Sequence, residues 1–318
     1  WQHSRQTEFG TLVKGFTNNA TGYHNLAAGA LRPYGGTYSD RQDATLLSGL
    51  FSARYSIFNR YALSVSVRAD GSSLVGENHT WGLFPSVSGE WDVKHEAFLR
   101  GVDAVNRLKF RIGYGESGNL AGISAYNAVR RMVPTNVVPV NGAPVVTMSE
   151  ARNYNPDLRW ETRSTFNVGA EAALWDNRLI LTVAYYHAVT RDMLYEYEVP
   201  VPPFVYNKLL ANNGTLSNDG WELGLGASLL RTRDWGLDAN ANLTVQRSRL
   251  RSLGGACLGM QLTASRITPI GGMELGAGFH GGNNNVLYQI VGQPLGVFYL
   301  PKSTGLELQP DGSRRYEI

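Results

Sequence analysis

The chain has little of what most functional sites are built from. Cys257 is its single cysteine in 318 residues, so no disulfide can form within it, and no CxxC or Cys/His cluster exists. The histidines, His3, His24, His79, His95, His187 and His280, are scattered without ligand spacing, which argues against a metal centre. Charge is sparse and balanced: 29 Lys+Arg against 26 Asp+Glu, a net of +3. That is too weak a field for a nucleic-acid partner. No apolar run approaches the roughly 18 residues of a membrane-spanning helix; the longest useful one, Leu179 to Tyr186, alternates and contains Thr182. Trp1 is no initiator methionine and no signal-peptide pattern follows it, so the chain reads as a piece of something longer, and this absence carries nothing about location.

Glycine and tyrosine are plentiful instead, at 36 and 16 residues. Glycine weakens a soluble strand but suits a strongly curved sheet. Two hairpins organise the chain. In the first, Phe166, Val168, Ala170, Ala172 and Leu174 alternate with Thr165, Asn167, Gly169, Glu171 and Ala173. Asp176-Asn177 turns the chain, and Leu179, Leu181, Val183 and Tyr185 return. In the second, Trp221, Leu223, Leu225, Ala227 and Leu229 lead to a turn at Arg231 to Asp234. Trp235, Leu237, Ala239, Ala241, Leu243 and Val245 then return against polar neighbours. A period of two puts one set on each face, so the sheet has an apolar side and a wet side. Further strands follow the same rule over 43–57, 61–68, around Val87 to Val93 and from Leu108 to Tyr114. Trp1 to Gln42 reads mostly as loop with a strand remnant, 43–250 as the strand region, and 251–318 as a long loop with an extended segment.

The connections alternate between tight turns (Asn59-Arg60, 176–178, 231–234) and long loops (70–80, 116–157, 193–217, after 250), with a medium link at 96–106. All the long loops therefore fall at one end of an up-and-down sheet, as in outer-membrane barrels. Tyr55, Tyr61, Trp91 and Trp235 fall at the short-turn ends. Tyr114, Trp160 and Trp221 fall near the long-loop ends, and all seven share the parity of the apolar face. Two aromatic girdles around an apolar band make a lipid-facing arrangement; Trp175 sits one residue off it. The rival is a soluble β-sandwich, whose strands run about five or six residues. These alternations run about ten residues, the length that crosses a bilayer at a tilt.

The loops carry a family resemblance. Arg68-Ala-Asp-Gly-Ser-Ser73, Gly76-Glu-Asn78 and Trp81-Gly-Leu-Phe-Pro-Ser-Val87 resemble a signature of the SusC-like TonB-dependent transporters of Bacteroidota. Leu108 to Asn119, Asn155-Pro-Asp-Leu-Arg-Trp-Glu-Thr162, Thr190-Arg-Asp-Met-Leu194, Asn213 to Leu223 and Gly292 to Tyr299 continue it in order. The resemblance covers about 43–300. It implies an all-β fold: part of a large antiparallel up-and-down transmembrane β-barrel, 22-stranded in the family, of which roughly eight strands are recognisable here. It further implies import of oligosaccharides or peptides with a SusD-like surface lipoprotein, driven by TonB contacts outside these residues. A segment with two open edges cannot satisfy its backbone in lipid, and so is not expected to transport alone. The alternatives are a passive porin and a soluble extracellular glycan-binding β-sandwich.

No enzyme site assembles. Gly113-Tyr-Gly-Glu-Ser-Gly118 spells a dinucleotide motif after a strand, yet Asn119-Leu-Ala-Gly122 follows it as loop where a helix is required. Those glycines are better read as thinning the wall. Glu90, Asp92 and Glu171 fall on the wet face, where solvated charges are routine in barrel lumens. No cofactor is expected. Ligand contact is expected from aromatics in the long loops, namely Tyr126, Tyr154, Phe204 and Tyr206, whose rings suit sugar faces or peptide side chains; the bland alternative is loop packing.

Overall fold

The computed structural model describes residues 1–18, 20, 24–33, 35–263, 267–273, 285–299, 305–309 and 314–317. Five strands open the chain: β1 (Gln2–Thr11), β2 (Thr37–Ile57), β3 (Tyr61–Ser72), β4 (Trp81–Asp92) and β5 (Val105–Asn119). A detached hairpin follows, β6 (Met132–Val140) and β7 (Ala143–Glu150). The main sheet then resumes with β8 (Glu161–Leu174), β9 (Leu179–Glu198), β10 (Lys208–Arg231), β11 (Gly236–Cys257) and β12 (Met260–Thr263). Apart from the detached hairpin, these ten strands form one antiparallel sheet in chain order. Its outer strands are β1 and β12, so the sheet is open.

Register makes the apolar face continuous. Tyr55 pairs Leu63, Leu63 pairs Gly89, and the row passes through Ile112, Val168, Tyr185 and Trp221 to Val245. The next row joins Ile57, Tyr61, Trp91, Phe110, Ala170, Val183, Leu223 and Leu243. Among the described residues no second sheet covers this face, and Phe51, Leu63, Leu223, Leu243 and Val245 stand exposed on it. A sandwich buries such a face against a partner sheet, so the soluble-sandwich alternative gives way. The opposite face carries Arg54, Glu90, Asp92, Lys109, Arg111 and Glu171. Lys109 bridges Glu90 at 2.8 Å and Asp92 at 3.6 Å, and Arg54 reaches Glu90 at 3.6 Å. These acids are wall charges neutralised by neighbours across the strands.

The tight turns are as expected. Phe58 and Asn59 hold φ of 53° and 56°, and Trp175, Asp176 and Asn177 hold 51°, 54° and 60°, left-handed backbone that reverses the chain within a few residues. The girdle at that end is tied to the next connection. The Glu96 carboxylate accepts from the Tyr61 hydroxyl at 2.6 Å, Trp91 Nε1 at 3.1 Å and Arg60 at 3.1 Å.

Four expectations change. Gln2–Thr11 is a strand paired along its length with Thr37–Leu46, not loop. It was illegible because both its faces are polar, so alternation leaves no hydrophobic trace; Arg5 to Asp43 (2.8 Å) and Tyr38 to Glu8 (2.7 Å) hold it. The loop expected at 116–157 contains the β6–β7 hairpin. The loop expected at 193–217 shrinks to 199–207, because β9 and β10 run on past the apolar band. Bulges at Asn212/Gly214 and Gly214/Leu216 shift the parity there. Finally Trp160 is no girdle residue: it precedes β8, is 9% exposed, and packs edge-on to Phe84 with centroids 5.5 Å apart. Beyond β12 the glycine-rich tract falls partly outside the described residues.

The literal dinucleotide motif serves the wall. Gly113 and Gly115 lie inside β5, where a Cβ would press on Asn167 and Ser86, and at Gly118 a Cβ would sit 2.1 Å from the Phe84 ring. Pairing between β4 and β5 stops at Ser86↔Gly115, next to Pro85, which has no N–H to donate. Phe84 fills the gap beyond.

Candidate functional site

The strands exceed what a membrane needs. A crossing takes about ten residues, whereas β10 has 24 and β11 has 22. The excess lies at the long-loop end, and there the wall thickens. Tyr197, Val199, Leu209, Ala211 and Leu262 form one buried cluster. Val75, Phe84, Ile123, Leu158 and Trp160 belong to another.

Between these clusters the chain after β7, 151–160, runs beside the start of β10, and asparagine amides replace a backbone ladder. Asn155 donates to Leu210 O at 2.9 Å and accepts from Asp157 N at 3.0 Å. From β10, Asn212 accepts from Arg159 N at 3.0 Å and donates to Arg159 O and Asp192 O, both at 2.8 Å. Asn153 is the most heavily engaged: its amide donates to Tyr206 O and Lys208 O and accepts from Val205 N and Tyr206 N. All three are nearly fully buried, where unpaired amides are costly. Arg159 adds an ion pair to Asp192 at 2.6 Å. Gly76 lets the strap pass, since its N–H reaches Leu158 O at 2.7 Å and a Cβ would lie 1.8 Å from Pro156 O.

Asn153 thereby holds two walls of one open cavity of about 330 Å³. Tyr154 and Pro156 line the strap side; Pro203, Phe204 and Val205 line the loop side. Leu258, in the β11–β12 turn, also lines it, as do Arg130 and Glu150, which pair with each other at 2.6 Å. The structure thus brings Tyr154 and Phe204 together. Tyr206 lies beside them with its hydroxyl donated to Glu150 O at 2.6 Å. Tyr126 is elsewhere: its ring lies 5.5 Å under the Arg131 guanidinium, its hydroxyl accepts from Asp43 N at 3.3 Å, and Arg131 pairs with Asp40. A second open cavity of about 490 Å³ lies there. The three clamping asparagines were not foreseen, because an isolated Asn in a loop signals only a turn. Among the described residues no group of three or more His, Cys, Asp or Glu could hold a metal ion.

One layer of antiparallel strands, with a continuous apolar band on one face, a charged wet face behind it and its longest connection, 120–160, at the end opposite the tight turns, is the wall of an outer-membrane β-barrel. Residues 1–309 match the family model described as TonB dependent receptor-like, beta-barrel. The chain belongs to that family. It is 30% identical over 243 residues to TonB-dependent receptor P26 of Formosa agariphila, covering 76% of this chain and 24% of that one. It is 30% identical over 213 residues to TonB-dependent receptor SusC of Bacteroides thetaiotaomicron, covering 66% and 21%. The chain therefore spans about a quarter of the length of the curated relatives it matches. A solved structure of the RagAB peptide transporter superposes with a TM-score of 0.71 at 23% identity, over 92% of this chain and 31% of that one, a likeness of fold.

Proposed function

We propose that this chain is part of the barrel wall of an outer-membrane nutrient importer, energised through TonB and working with a SusD-like surface lipoprotein on oligosaccharides or peptides. The observation that carries it is the two-faced sheet in a TonB-dependent receptor family, with its longest connection and the asparagine-clamped segment 151–160 at one end. A lipid-facing band seats the wall, and the Glu90–Lys109–Asp92 and Glu171 charges face a wet interior. The open sheet closes only with strands supplied by the rest of the protein, since unpaired edges are not tolerated in lipid.

Loop aromatics make the substrate contacts in two groups. Tyr154 and Phe204 present rings to the cavity. Tyr206 latches the loop between them to Glu150, and Tyr126 with Arg131 forms a separate polar–aromatic patch. The test is uptake by cells producing the full-length receptor, with and without TonB, using a peptide mixture and an oligosaccharide mixture. Import of either class that disappears without TonB is expected. Import that persists without TonB marks a passive pore instead.

A further inference from the structure

The cavity beside Asn153 has its polar lining largely engaged. All four hydrogen-bonding positions of the Asn153 amide go to backbone. Arg130 and Glu150 hold one another, and the neighbouring Tyr206 hydroxyl holds Glu150 O. What remains is mainly Pro156, Pro203, Phe204, Val205, Leu258 and the Tyr154 ring. A sugar placed here would bury hydroxyls with few partners, at about 1–3 kcal/mol for each one left unmade. An apolar side chain would lose nothing.

The approach to the cavity has a chemistry of its own. The β6–β7 hairpin pairs with no other strand among the described residues. Residues 132–149 contain no Asp, Glu, Lys, Arg or His, and Val145, Val146 and Met148 are exposed. Its two edges are not equivalent. Pro134 and Pro139 break the row of donors in β6, while β7 has Pro144 alone, at its turn end, and an uninterrupted run of N–H groups from Val145 to Glu150. Such an edge accepts an additional strand. The end of β7 leads into the cavity: Ala151 N pairs back to Arg131 O, whereas Glu150 O is taken by Tyr206 from the cavity loop. An uncharged edge ending at an apolar cavity recognises a backbone and one hydrophobic side chain.

We propose that the long-loop end of this wall selects peptides: an extended peptide adds a strand to the free edge of β7 and seats an apolar side chain between Tyr154, Phe204 and Leu258. This rests on the import reading and narrows its substrate class. Leu258 offers a mild test, because it holds φ of 49°, a conformation that asparagine tolerates better than leucine. Leu258→Asn therefore makes the cavity polar without straining the turn.

The experiment is calorimetric titration of the purified full-length receptor with three probes: acetylated, amidated Ala-Ala-Leu-Ala-Ala, the same peptide N-methylated at alternate residues, and maltohexaose. The plain peptide is expected to bind, with Kd rising about tenfold or more on Leu258→Asn and comparably on N-methylation. Maltohexaose is expected not to compete. Peptide binding indifferent to both changes, no peptide binding at millimolar concentration, or maltohexaose binding that depends on Leu258 would each overturn the proposal. So would a peptide-independent dimer that dissociates when β6–β7 is deleted, because the β7 edge would then serve a second copy. The import reading is judged separately, by TonB-dependent uptake of either substrate class.

Discussion

At the residue scale, two polar side chains do work that their neighbours in sequence do not advertise. Asn153 joins the strap to the loop through four hydrogen bonds. Asn153→Ala leaves those buried backbone groups unpaired, and about 2–4 kcal/mol of local stability should be lost. Hydrogen exchange should show the amides of Val205 and Tyr206 opening first, with the strands of the apolar band unchanged; uniform protection would sink the clamp. Glu96 ties the short-turn girdle together. The Tyr61 hydroxyl, then Trp91 Nε1 and the Arg60 guanidinium, hold its carboxyl below the usual glutamate range. A lowered native pKa stabilises the fold above the ordinary carboxylate pKa, and that contribution drains as pH falls through the native value. The wild type should therefore melt above Glu96→Gln at about pH 6, and the gap should close towards about pH 3. A gap that widens on acidification would mean the carboxylate is not the anchor. The separation of Tyr126 from the other loop aromatics belongs to this scale as well: nothing in the spacing of Tyr126, Tyr154, Phe204 and Tyr206 distinguishes the pair that meets from the one that does not.

At the element scale, what was legible depended on solvent asymmetry. From Tyr61 to Val67, and again from Trp221 to Leu229, one face meets an apolar environment and the other a wet one, and period two appears in the letters. Beyond the band β9 and β10 continue as Tyr195–Tyr197, alternating with exposed Glu196 and Glu198, and as Leu209–Ala211, and the bulges at Asn212/Gly214 and Gly214/Leu216 reset the parity between them and the band. The alternation is offset there although the hydrogen-bond ladder continues. The strap is the element with the least signature, and it depends on an approach only glycine permits. Gly76→Ala places a Cβ against Pro156 O, so the strap must shift, at about 1–3 kcal/mol. Thermal unfolding in detergent should fall accordingly, with exchange rising at Leu158 and Trp160. Wild-type stability in that variant would show the strap to be more adaptable than its contacts suggest.

For the whole molecule, the decisive property is that the two faces of one sheet meet different solvents. Leu223 sits mid-row between Val183 and Leu243 on the apolar face. Leu223→Arg should cost about 2–4 kcal/mol if that face lies at the bilayer midplane. Thr244, across from Glu222 on the other face, should accept lysine with little effect. Folding of the full-length receptor into lipid vesicles, followed by resistance of its gel mobility to heat, measures both. Equal penalties at the two sites would contradict the assignment of the faces.

The sequence by itself determined the class of fold, the lipid-facing parity, the tight turns and the family, because each is local: alternation, turn chemistry and short motifs need no distant partner. It also set that the longest loop, within 120–160, lies at the end opposite the tight turns. Only the tertiary structure decided which loop aromatics share a cavity, that Trp160 is buried against Phe84, and that β1 pairs with β2 though neither face is apolar there. It likewise decided that three asparagines stand in for a backbone ladder. The physical reason is one of distance along the chain. Hydrogen bonds joining Asn153 to Tyr206, or Asn212 to Arg159, span 53 residues, and an amide side chain looks the same whether it meets water or a backbone that far away.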